Sequence, residues 1–194
     1  LVIKIKDFFL TLKKSKIDFF TGVPDSLFSS LCSELEKKNQ HYAATNEGSA
    51  IGLAIGYNLS TNKLPLVYLQ NSGLGNIVNP ITSLVHKKIY NIPIFLVIGW
   101  RGEINNLKQI KDEPQHIYQG KITEDLLKML QIKYKVVNKK SNYKKIIKNL
   151  SAHALKKSEP VAILVRKNTF QNDRKKIYIN NKKLMRASVL KEIV

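Results

Sequence analysis

The sequence predicts an α/β protein with a doubly wound, mainly parallel sheet that is covered by helices on both faces. Short apolar runs of strand length alternate along most of the chain with longer stretches whose apolar residues recur at helical spacing. The runs at residues 92–98 and 161–165 are almost wholly apolar, as expected of strands that are buried on both faces. Because a right-handed crossover places each intervening helix on a face of the sheet, this alternation indicates parallel strands.

Each element follows from the spacing of apolar residues and from the turn and capping residues between them. In the first half we expect a helix at 3–14, a strand at 17–21, a helix ending near 35, a strand at 42–45, a helix at 47–59, a strand at 64–69 and a helix through 77–85. In the second half we expect a strand at 92–98, a long polar loop at 99–120, a helix capped by Thr123, a strand at 134–137, a helix at 143–154 and a strand at 161–165. Pro80 marks either a kink or a fresh helix start.

Two acidic residues occupy corners between a strand and a helix, where ligands bind in open α/β sheets. Glu47 follows the strand at 42–45, and Asp25 follows the turn that Gly22 and Pro24 begin. Each acid also has a simple structural explanation, because acids complement the positive end of a helix and aspartate is a common N-cap. The residues alone leave both interpretations open.

A third corner follows the strand at 64–69 and carries residues 70–76 (QNSGLGN). Its glycines allow the backbone to approach a ligand, but the stretch lacks the third glycine of a dinucleotide fingerprint and the Gly-Lys-Ser/Thr of a phosphate loop. Residues 111–116 (KDEPQH) bring titratable groups into the long loop. There His116 could move protons near neutral pH, or it could be an ordinary surface histidine.

The composition of the 194-residue chain is compatible with one domain and argues against several classes of function. The formal charge of +19 could indicate nucleic acid. The lysines are spread over almost every predicted element without interleaved aromatic residues, so we expect an anionic small molecule and no nucleic acid. No apolar run reaches the roughly 18 residues of a membrane span, and the single cysteine, Cys32, falls in an apolar helical stripe. We therefore expect a cytoplasmic protein without a membrane partner.

Five stretches of the sequence are together specific enough to indicate a family. They are residues 21–27 (TGVPDSL), 46–50 (NEGSA), 67–76 (VYLQNSGLGN), 98–103 (IGWRGE) and 111–116 (KDEPQH). They resemble the pyrimidine-binding half of the phosphonopyruvate decarboxylases, which are thiamine-diphosphate enzymes with the sulfopyruvate decarboxylases as a close sister family. The resemblance implies a pyrimidine-binding domain at residues 1–167. Residues 168–194 would then be a linker and a possible helix leading into a diphosphate-binding domain.

The resemblance implies a role for each corner of the predicted sheet. Glu47 would hydrogen-bond N1′ of the cofactor's aminopyrimidine ring and so promote loss of the proton from the cofactor's reactive carbon. Asp25 and His116 would assist proton transfers near the substrate, and Arg101 and Gln115 are candidate substrate contacts. The cofactor pocket would be lined by Gly22, Val23, Gln70, Asn71, Ser72 and Gly73.

The resemblance also implies that these 194 residues hold half of an active site. The family binds Mg²⁺ and the diphosphate through a Gly-Asp-Gly motif followed by Asn-Asn, and this motif has no counterpart here. We therefore expect no metal ligands in this chain, and a diphosphate-binding domain or subunit as its partner. Residues 104–110 also form a longer segment than the compact, glycine-containing one of the family.

The expected reaction is the decarboxylation of 3-phosphonopyruvate to phosphonoacetaldehyde and carbon dioxide. Sulfopyruvate is the second candidate for this small anionic 2-oxo acid, and a non-catalytic cofactor-binding module is the alternative of a different class. Since catalysis needs a site that excludes water, the edge that carries the candidate residues should meet a second protein surface. We expect a homo-oligomer whose dimer contact includes the helix at 47–59 and the one after Gly75, with Ile51 and Ile77 in the interface.

Overall fold

The computed structural model describes residues 2–37, 41–105 and 108–171. Its helices are α1 (Ile5–Lys14), α2 (Ser29–Lys37), α3 (Glu47–Thr61), α4 (Leu74–Pro80), α5 (Pro114–Met129) and α6 (Tyr143–Lys157). Its strands are β1 (Phe20–Gly22), β2 (His41–Ala43), β3 (Leu66–Gln70), β4 (Phe95–Gly99), β5 (Ile104–Asn105), β6 (Lys108–Gln109), β7 (Lys133–Val137) and β8 (Val161–Val165). Of the linker and final helix expected at residues 168–194, the structure describes 168–171, where Phe170 is buried and forms a bridge with Ile3. The rest of that segment lies outside the described residues.

Six strands form one parallel sheet in the order β2-β1-β3-β4-β8-β7, and β5 and β6 form a separate antiparallel hairpin. The central strands β3, β4 and β8 are apolar along nearly their whole length because both of their faces are buried. At one margin, β7 alternates exposed lysines with partly buried residues, as an edge strand does. The predicted fold class, a doubly wound α/β fold, is confirmed.

The helices divide between the two faces of the sheet, and each face has its own apolar core. Buried residues of α1, α2 and α6 pack on one face, where Phe8, Leu31 and Leu150 contribute. Buried residues of α3, α4 and α5 pack on the other face. Ile51 and Ile77 belong to this second core and are fully buried within the chain. The prediction that these two residues lie in a dimer interface is therefore wrong, because their side chains already fill the chain's own interior.

Helix α3 places Glu47 because the residue before it provides a strong start signal. Asn46 has an extended backbone, and its Oδ1 accepts a hydrogen bond of 2.9 Å from the backbone N–H of Ser49. At the other end, Asn62 adopts the left-handed conformation that ends a helix. Glu47 is consequently the first residue of α3, directly beyond the carboxyl end of β2.

The segment between β4 and β7 differs most from the prediction. Helix α5 begins at Pro114, not near Thr123, so the second part of the expected loop is helical. Proline suits the first turn of a helix, where its missing N–H has no partner to lose. Thr123 does not cap α5 but is buried in its middle, where its hydroxyl donates to the carbonyl of Gln119 at 2.6 Å.

Helix α4 shows what Pro80 does. The helical path continues beyond Pro80 as a π-helical turn over Ile81–Val85, so no fresh helix starts there. Proline lacks the N–H that would continue the regular α-helical bonding pattern, and a change of helical pitch accommodates this loss.

Candidate active site

The candidate residues converge where the direction of winding reverses. From β1 the chain moves outward to β2 and then returns across β1 to form β3, so β1 and β3 flank a topological switch point. In open α/β sheets the crevice at such a point, beyond the carboxyl ends of the strands, is where ligands bind. Asp25, Glu47 and Ser72 follow β1, β2 and β3, and His116 follows β4 and the hairpin.

Glu47 presents a half-buried carboxylate that is held from two sides. Its Oε2 accepts a hydrogen bond of 2.7 Å from the Nδ2 amide of Asn76 on α4. Its Oε1 lies against Gly73, where an added Cβ would come within 2.4 Å. A larger residue at position 73 would therefore push the carboxylate of Glu47 out of this position. Asn76 was not among the predicted site residues, although it ends the stretch QNSGLGN one helical turn after Gly73.

Asp25 is a second carboxyl with an unusual environment. It precedes a single 3₁₀ turn over Ser26–Phe28, but its side chain makes no capping hydrogen bond. Its Oδ2 is buried and has no hydrogen-bond partner among the described residues. An added Cβ on Gly99, at the end of β4, would lie 2.6 Å from this oxygen. Burial raises the pKa of Asp25 above its ordinary value, which suits a group that holds and releases a proton.

The backbone at Gly22 passes very close to β3. A Cβ on Gly22 would lie 2.0 Å from the carbonyl oxygen of Tyr68, and the φ angle of Gly22 is +155°. The next residue, Val23, donates its N–H to the same carbonyl at 3.2 Å. This close approach brings the turn before Asp25 against the switch point, and no residue other than glycine fits there.

The stretch after β3 divides into residues that face outward and one that faces inward. The Gln70 amide donates to the hydroxyl of Ser72 at 2.8 Å, and Ser72 is exposed. Asn71 is buried, and its Nδ2 donates to the carbonyl of Arg101 at 3.0 Å and to the hydroxyl of Thr123 at 2.9 Å. Its Oδ1 accepts from the N–H of Arg101 at 3.0 Å. The side chain of Asn71 thus joins three elements, and only its backbone remains for a ligand.

Arg101 forms a two-point ion pair with Asp112. The Nε and Nη2 of Arg101 donate to the two carboxylate oxygens of Asp112 at 2.8 and 2.6 Å. This guanidinium holds the pKa of Asp112 well below its ordinary value, and Asp112 in turn raises the pKa of Arg101. His116 Nδ1 lies 3.2 Å from Asp112 Oδ1, so the same carboxylate also orients the imidazole. Gln115 is exposed on the first turn of α5.

Two glycines let α5 pack against the segment after β4. Gly102 has a φ angle of +60°, and an added Cβ would lie 1.9 Å from the carbonyl oxygen of His116. A Cβ on Gly120 would lie 1.7 Å from the carbonyl oxygen of Gly102. Trp100 donates its indole N–H to the carbonyl of Gly120 at 3.1 Å. This packing places His116 on a fixed helix beside Arg101, and not in a mobile loop.

Across the described ranges, no group of three or more His, Cys, Asp or Glu side chains could hold a metal ion. None of the helices in these ranges is both long enough and apolar enough to cross a membrane. The chemistry available at the switch point is therefore that of two carboxyl groups, one imidazole and one engaged guanidinium. Such a set can share, accept and deliver protons at a ligand that lies in the crevice.

A doubly wound domain with these groups at its switch point belongs to the class of cofactor-binding α/β domains. The sequence profile of one family, described as the N-terminal TPP binding domain of thiamine pyrophosphate enzymes, matches residues 6–129. Since this match spans more than half of the 194 residues, the chain belongs to that family. Thiamine pyrophosphate is another name for thiamine diphosphate.

Two relatives indicate which decarboxylases this chain is similar to. The α subunit of sulfopyruvate decarboxylase from Methanococcus maripaludis is 37% identical over 153 residues, which are 78% of this chain and 87% of that subunit. The phosphonopyruvate decarboxylase of Streptomyces viridochromogenes is 36% identical over 118 residues, which are 60% of this chain and 28% of that protein. The predicted relationship to these two sister families is confirmed, as is the predicted class, a thiamine-diphosphate-dependent decarboxylase.

A solved structure supports the fold. Benzoylformate decarboxylase from Polynucleobacter necessarius superposes with a TM-score of 0.62, and the superposition covers 89% of this chain and 32% of that chain. The two sequences are 16% identical in this comparison, so the likeness concerns the arrangement of strands and helices alone.

Proposed function

We propose that this chain supplies the pyrimidine-binding half of the active site of a decarboxylase that acts on 3-phosphonopyruvate. The observation that carries the proposal is the carboxylate of Glu47, which Asn76 and Gly73 hold at the switch point of a thiamine pyrophosphate enzyme domain. Residues 1–167 would form the pyrimidine-binding domain, and residues 168–194 would lead to the rest of the protein.

The site fits the aminopyrimidine ring of thiamine diphosphate. One oxygen of Glu47 faces bare backbone at Gly73, and the turn at Gly22 and Val23 has no large side chain to block a flat ring. The bound cofactor supplies a carbon nucleophile and accepts the electrons that decarboxylation releases. The carboxylate of Glu47 would share a proton with a ring nitrogen, and Gln70 and Ser72 would line the crevice with polar groups. Asn71 and Gly73 contribute through their backbone.

Asp25 and His116 are proposed to handle the protons of the substrate. The raised pKa of Asp25 lets its carboxyl carry a proton closer to neutral pH than an ordinary aspartate does. His116 is oriented by Asp112 through Nδ1, so its second ring nitrogen, Nε2, would be the donor or acceptor toward a ligand. Together they can deliver a proton to the carbon that loses carbon dioxide.

We assign the binding of the substrate's anionic group to Arg101, although Asp112 already engages part of its guanidinium. Asp112 accepts from the N–H of Nε and from one N–H of Nη2, so the second N–H of Nη2 and the two of Nη1 are left, and Nη1 lies 3.4 Å from the hydroxyl of Ser26. Arg101 can therefore offer these remaining N–H groups, and Gln115 can offer its amide from the exposed start of α5. Sulfopyruvate is a second candidate substrate, which the 37% identity to the sulfopyruvate decarboxylase α subunit favours.

A diphosphate-binding domain or subunit would complete the site. That partner would hold Mg²⁺ and the diphosphate, because the described part of this chain offers no cluster of metal ligands. Without that partner, this chain would bind the cofactor but would not catalyse the reaction. The alternative function, a non-catalytic cofactor-binding module, would behave in the same way.

Two measurements test the proposal. In the assembled enzyme, carbon dioxide release from 3-phosphonopyruvate should have the higher kcat/KM, and preference for sulfopyruvate would replace the first substrate with the second. Isothermal calorimetry on the 194-residue chain alone should give weak binding of thiamine diphosphate, with no dependence on Mg²⁺. Tight, Mg²⁺-dependent binding by the chain alone would contradict the division of the site between two partners.

A further inference from the structure

A groove between α1 and α6 lies on the face of the sheet that α1, α2 and α6 cover, away from the candidate active site. Its volume is about 590 Å³, within the usual range of sites for small molecules. Its apolar wall consists of Leu10 on α1 and Ala152 and Leu155 on α6. Leu10 and Leu155 are 54% and 41% exposed, so this wall presents apolar surface to the groove and to solvent.

A serine hydroxyl at the groove has no structural purpose of its own. Ser151 lines the groove and is 3% exposed, and its Oγ has no hydrogen-bond partner among the described residues. A buried hydroxyl without a partner destabilises a fold, and alanine would avoid this cost at the same position of α6. Because this Oγ is closed off from solvent, a ligand in the groove would reach it only if Ser151 or its neighbours shift.

Four lysines surround the groove and bring like charges together. Lys144 and Lys148 lie one helical turn apart on α6, and Lys14 and Lys16 contribute from the end of α1. None of the four takes part in the salt bridges that the described residues form. Asp7 is the one acidic residue that lines the groove. The arrangement leaves a net positive field over an apolar wall.

We propose that this groove binds a small organic anion that has an apolar part, such as an alkyl carboxylate or an alkyl phosphate. The apolar part would pack against Leu10 and Leu155, and the anionic head would accept hydrogen bonds from the lysines. Charge complementarity disfavours the chain's own segment 172–194, which is itself basic, and a second copy of this same groove, which would bring its own lysines against these.

The test uses the full chain and calorimetric titration with four probes. Octyl phosphate and octanoate carry both features of the ligand, whereas octanol lacks the charge and inorganic phosphate lacks the apolar part. Octyl phosphate and octanoate should bind at least about tenfold more tightly than either comparator, because each contribution is lost separately.

Variants locate the binding. The double change Lys144→Glu and Lys148→Glu should weaken octyl phosphate binding at least about tenfold. Lys87→Glu with Lys88→Glu, an equal change of charge in the exposed segment before β4, should leave binding unchanged. Ser151→Ala should raise the thermal unfolding midpoint, since it removes the unpartnered buried hydroxyl.

Three outcomes would overturn the proposal. The first is equal binding of inorganic phosphate and octyl phosphate, which would show simple attraction to surface lysines. The second is an equal effect of the two double variants on binding. The third is tighter binding of polyglutamate than of octyl phosphate. The last result would make the groove a docking surface for an acidic protein. Because none of these readouts uses decarboxylation, failure here leaves the proposed active site unaffected.

Discussion

The carboxylate of Glu47 is held by the amide of Asn76 and by contact with Gly73. Glu47→Gln keeps the size of the side chain and an oxygen that can accept from Asn76, but it removes the negative charge. In the assembled enzyme we expect kcat to fall by roughly 10²- to 10⁴-fold, as when a positioned acid–base group is lost. Glu159→Gln is the control and should keep normal turnover, because Glu159 precedes β8 and so lies toward the amino ends of the strands, away from the candidate site. Near wild-type kcat in Glu47→Gln would contradict the role of Glu47.

Gly73 and Gly75 form a matched pair for testing how closely the site is packed. A Cβ at Gly73 would lie 2.4 Å from Glu47 Oε1, whereas a Cβ at Gly75 would meet nothing within 4 Å. Gly73→Ala should therefore displace the carboxylate and lower both activity and stability. Gly75→Ala should raise the free energy of unfolding by about 0.5–1 kcal/mol, because alanine favours the helix α4. Urea unfolding of the chain measures both changes, and equal effects would show that Gly73 does not contact Glu47.

Asp25 links the site to the pH dependence of stability. Burial raises its folded-state pKa above 3.8, so between 3.8 and the raised value the folded chain binds more protons than the unfolded chain. The stability that Asp25 contributes is therefore lost as the pH rises through this window. Asp25→Asn should stabilise the chain by about 1 kcal/mol at neutral pH, and this gain should vanish below pH 3.8. Urea unfolding at both pH values measures it, and a gain that persists in acid would contradict this cause.

At the scale of elements, the ion pair between Arg101 and Asp112 joins the segment after β4 to the start of α5. Asp112 also accepts hydrogen bonds from the N–H groups of Gly102 and Glu113. Its folded-state pKa lies below its ordinary value of 3.8, so its contribution to stability is present above that pH and is lost as the pH falls below it.

Asp112→Asn should lower the free energy of unfolding at neutral pH by about 2 kcal/mol, the size expected for charge-assisted hydrogen bonds in a partly buried pair. The difference from wild type should shrink in acid below pH 3.8. Asp125→Asn, within α5, is the control, because Asp125 pairs with Lys128 at the exposed surface and should matter little. Urea unfolding measures both variants. Similar losses in the two would show that the burial of Asp112 adds nothing.

At the scale of the whole molecule, the outer side of α3 is the strongest candidate for self-association. Leu53 and Leu59 are 46% and 64% exposed there. Beside Leu53, a groove of about 700 Å³ runs along the edge strand β2, where the rings of Phe19, Tyr42 and Tyr57 stack. This apolar surface is available to a second protein surface, unlike the buried Ile51 and Ile77.

We expect the chain to associate at micromolar concentration through this side of α3. Leu53→Glu should shift the mass measured by light scattering toward the monomer, because burying an unpaired charge in the contact is costly. Leu10→Glu is the matched control, since Leu10 is 54% exposed on α1 at the other face of the sheet. A strict monomer in the wild type would contradict self-association. An equal response to both variants would place the contact elsewhere on the chain.

Much of the architecture could be predicted from the sequence because it depends on local periodicity. The fully buried strands β4 and β8 are recognisable in the sequence as continuous apolar runs. Helix α3 is recognisable by its N-cap residue and its apolar stripe. The positions of Asp25 and Glu47 at the ends of strands follow directly from that order. The segment between β4 and β7 could not be predicted, because polar residues there obscure the start of α5 and the packing of Gly102 on His116 is a contact across the fold.

The sequence by itself determined the parallel α/β fold, the edge on which the acids lie and the family, since these depend on spacing and on contiguous motifs. Only the tertiary structure decided what each side chain does at that edge. It turned Asn71 into a buried link, paired Arg101 with Asp112, and assigned Asn76 to Glu47. These partners stand up to 52 residues apart in the chain, as Asn71 and Thr123 do, and no local pattern records which of several polar side chains will meet when strands are brought side by side.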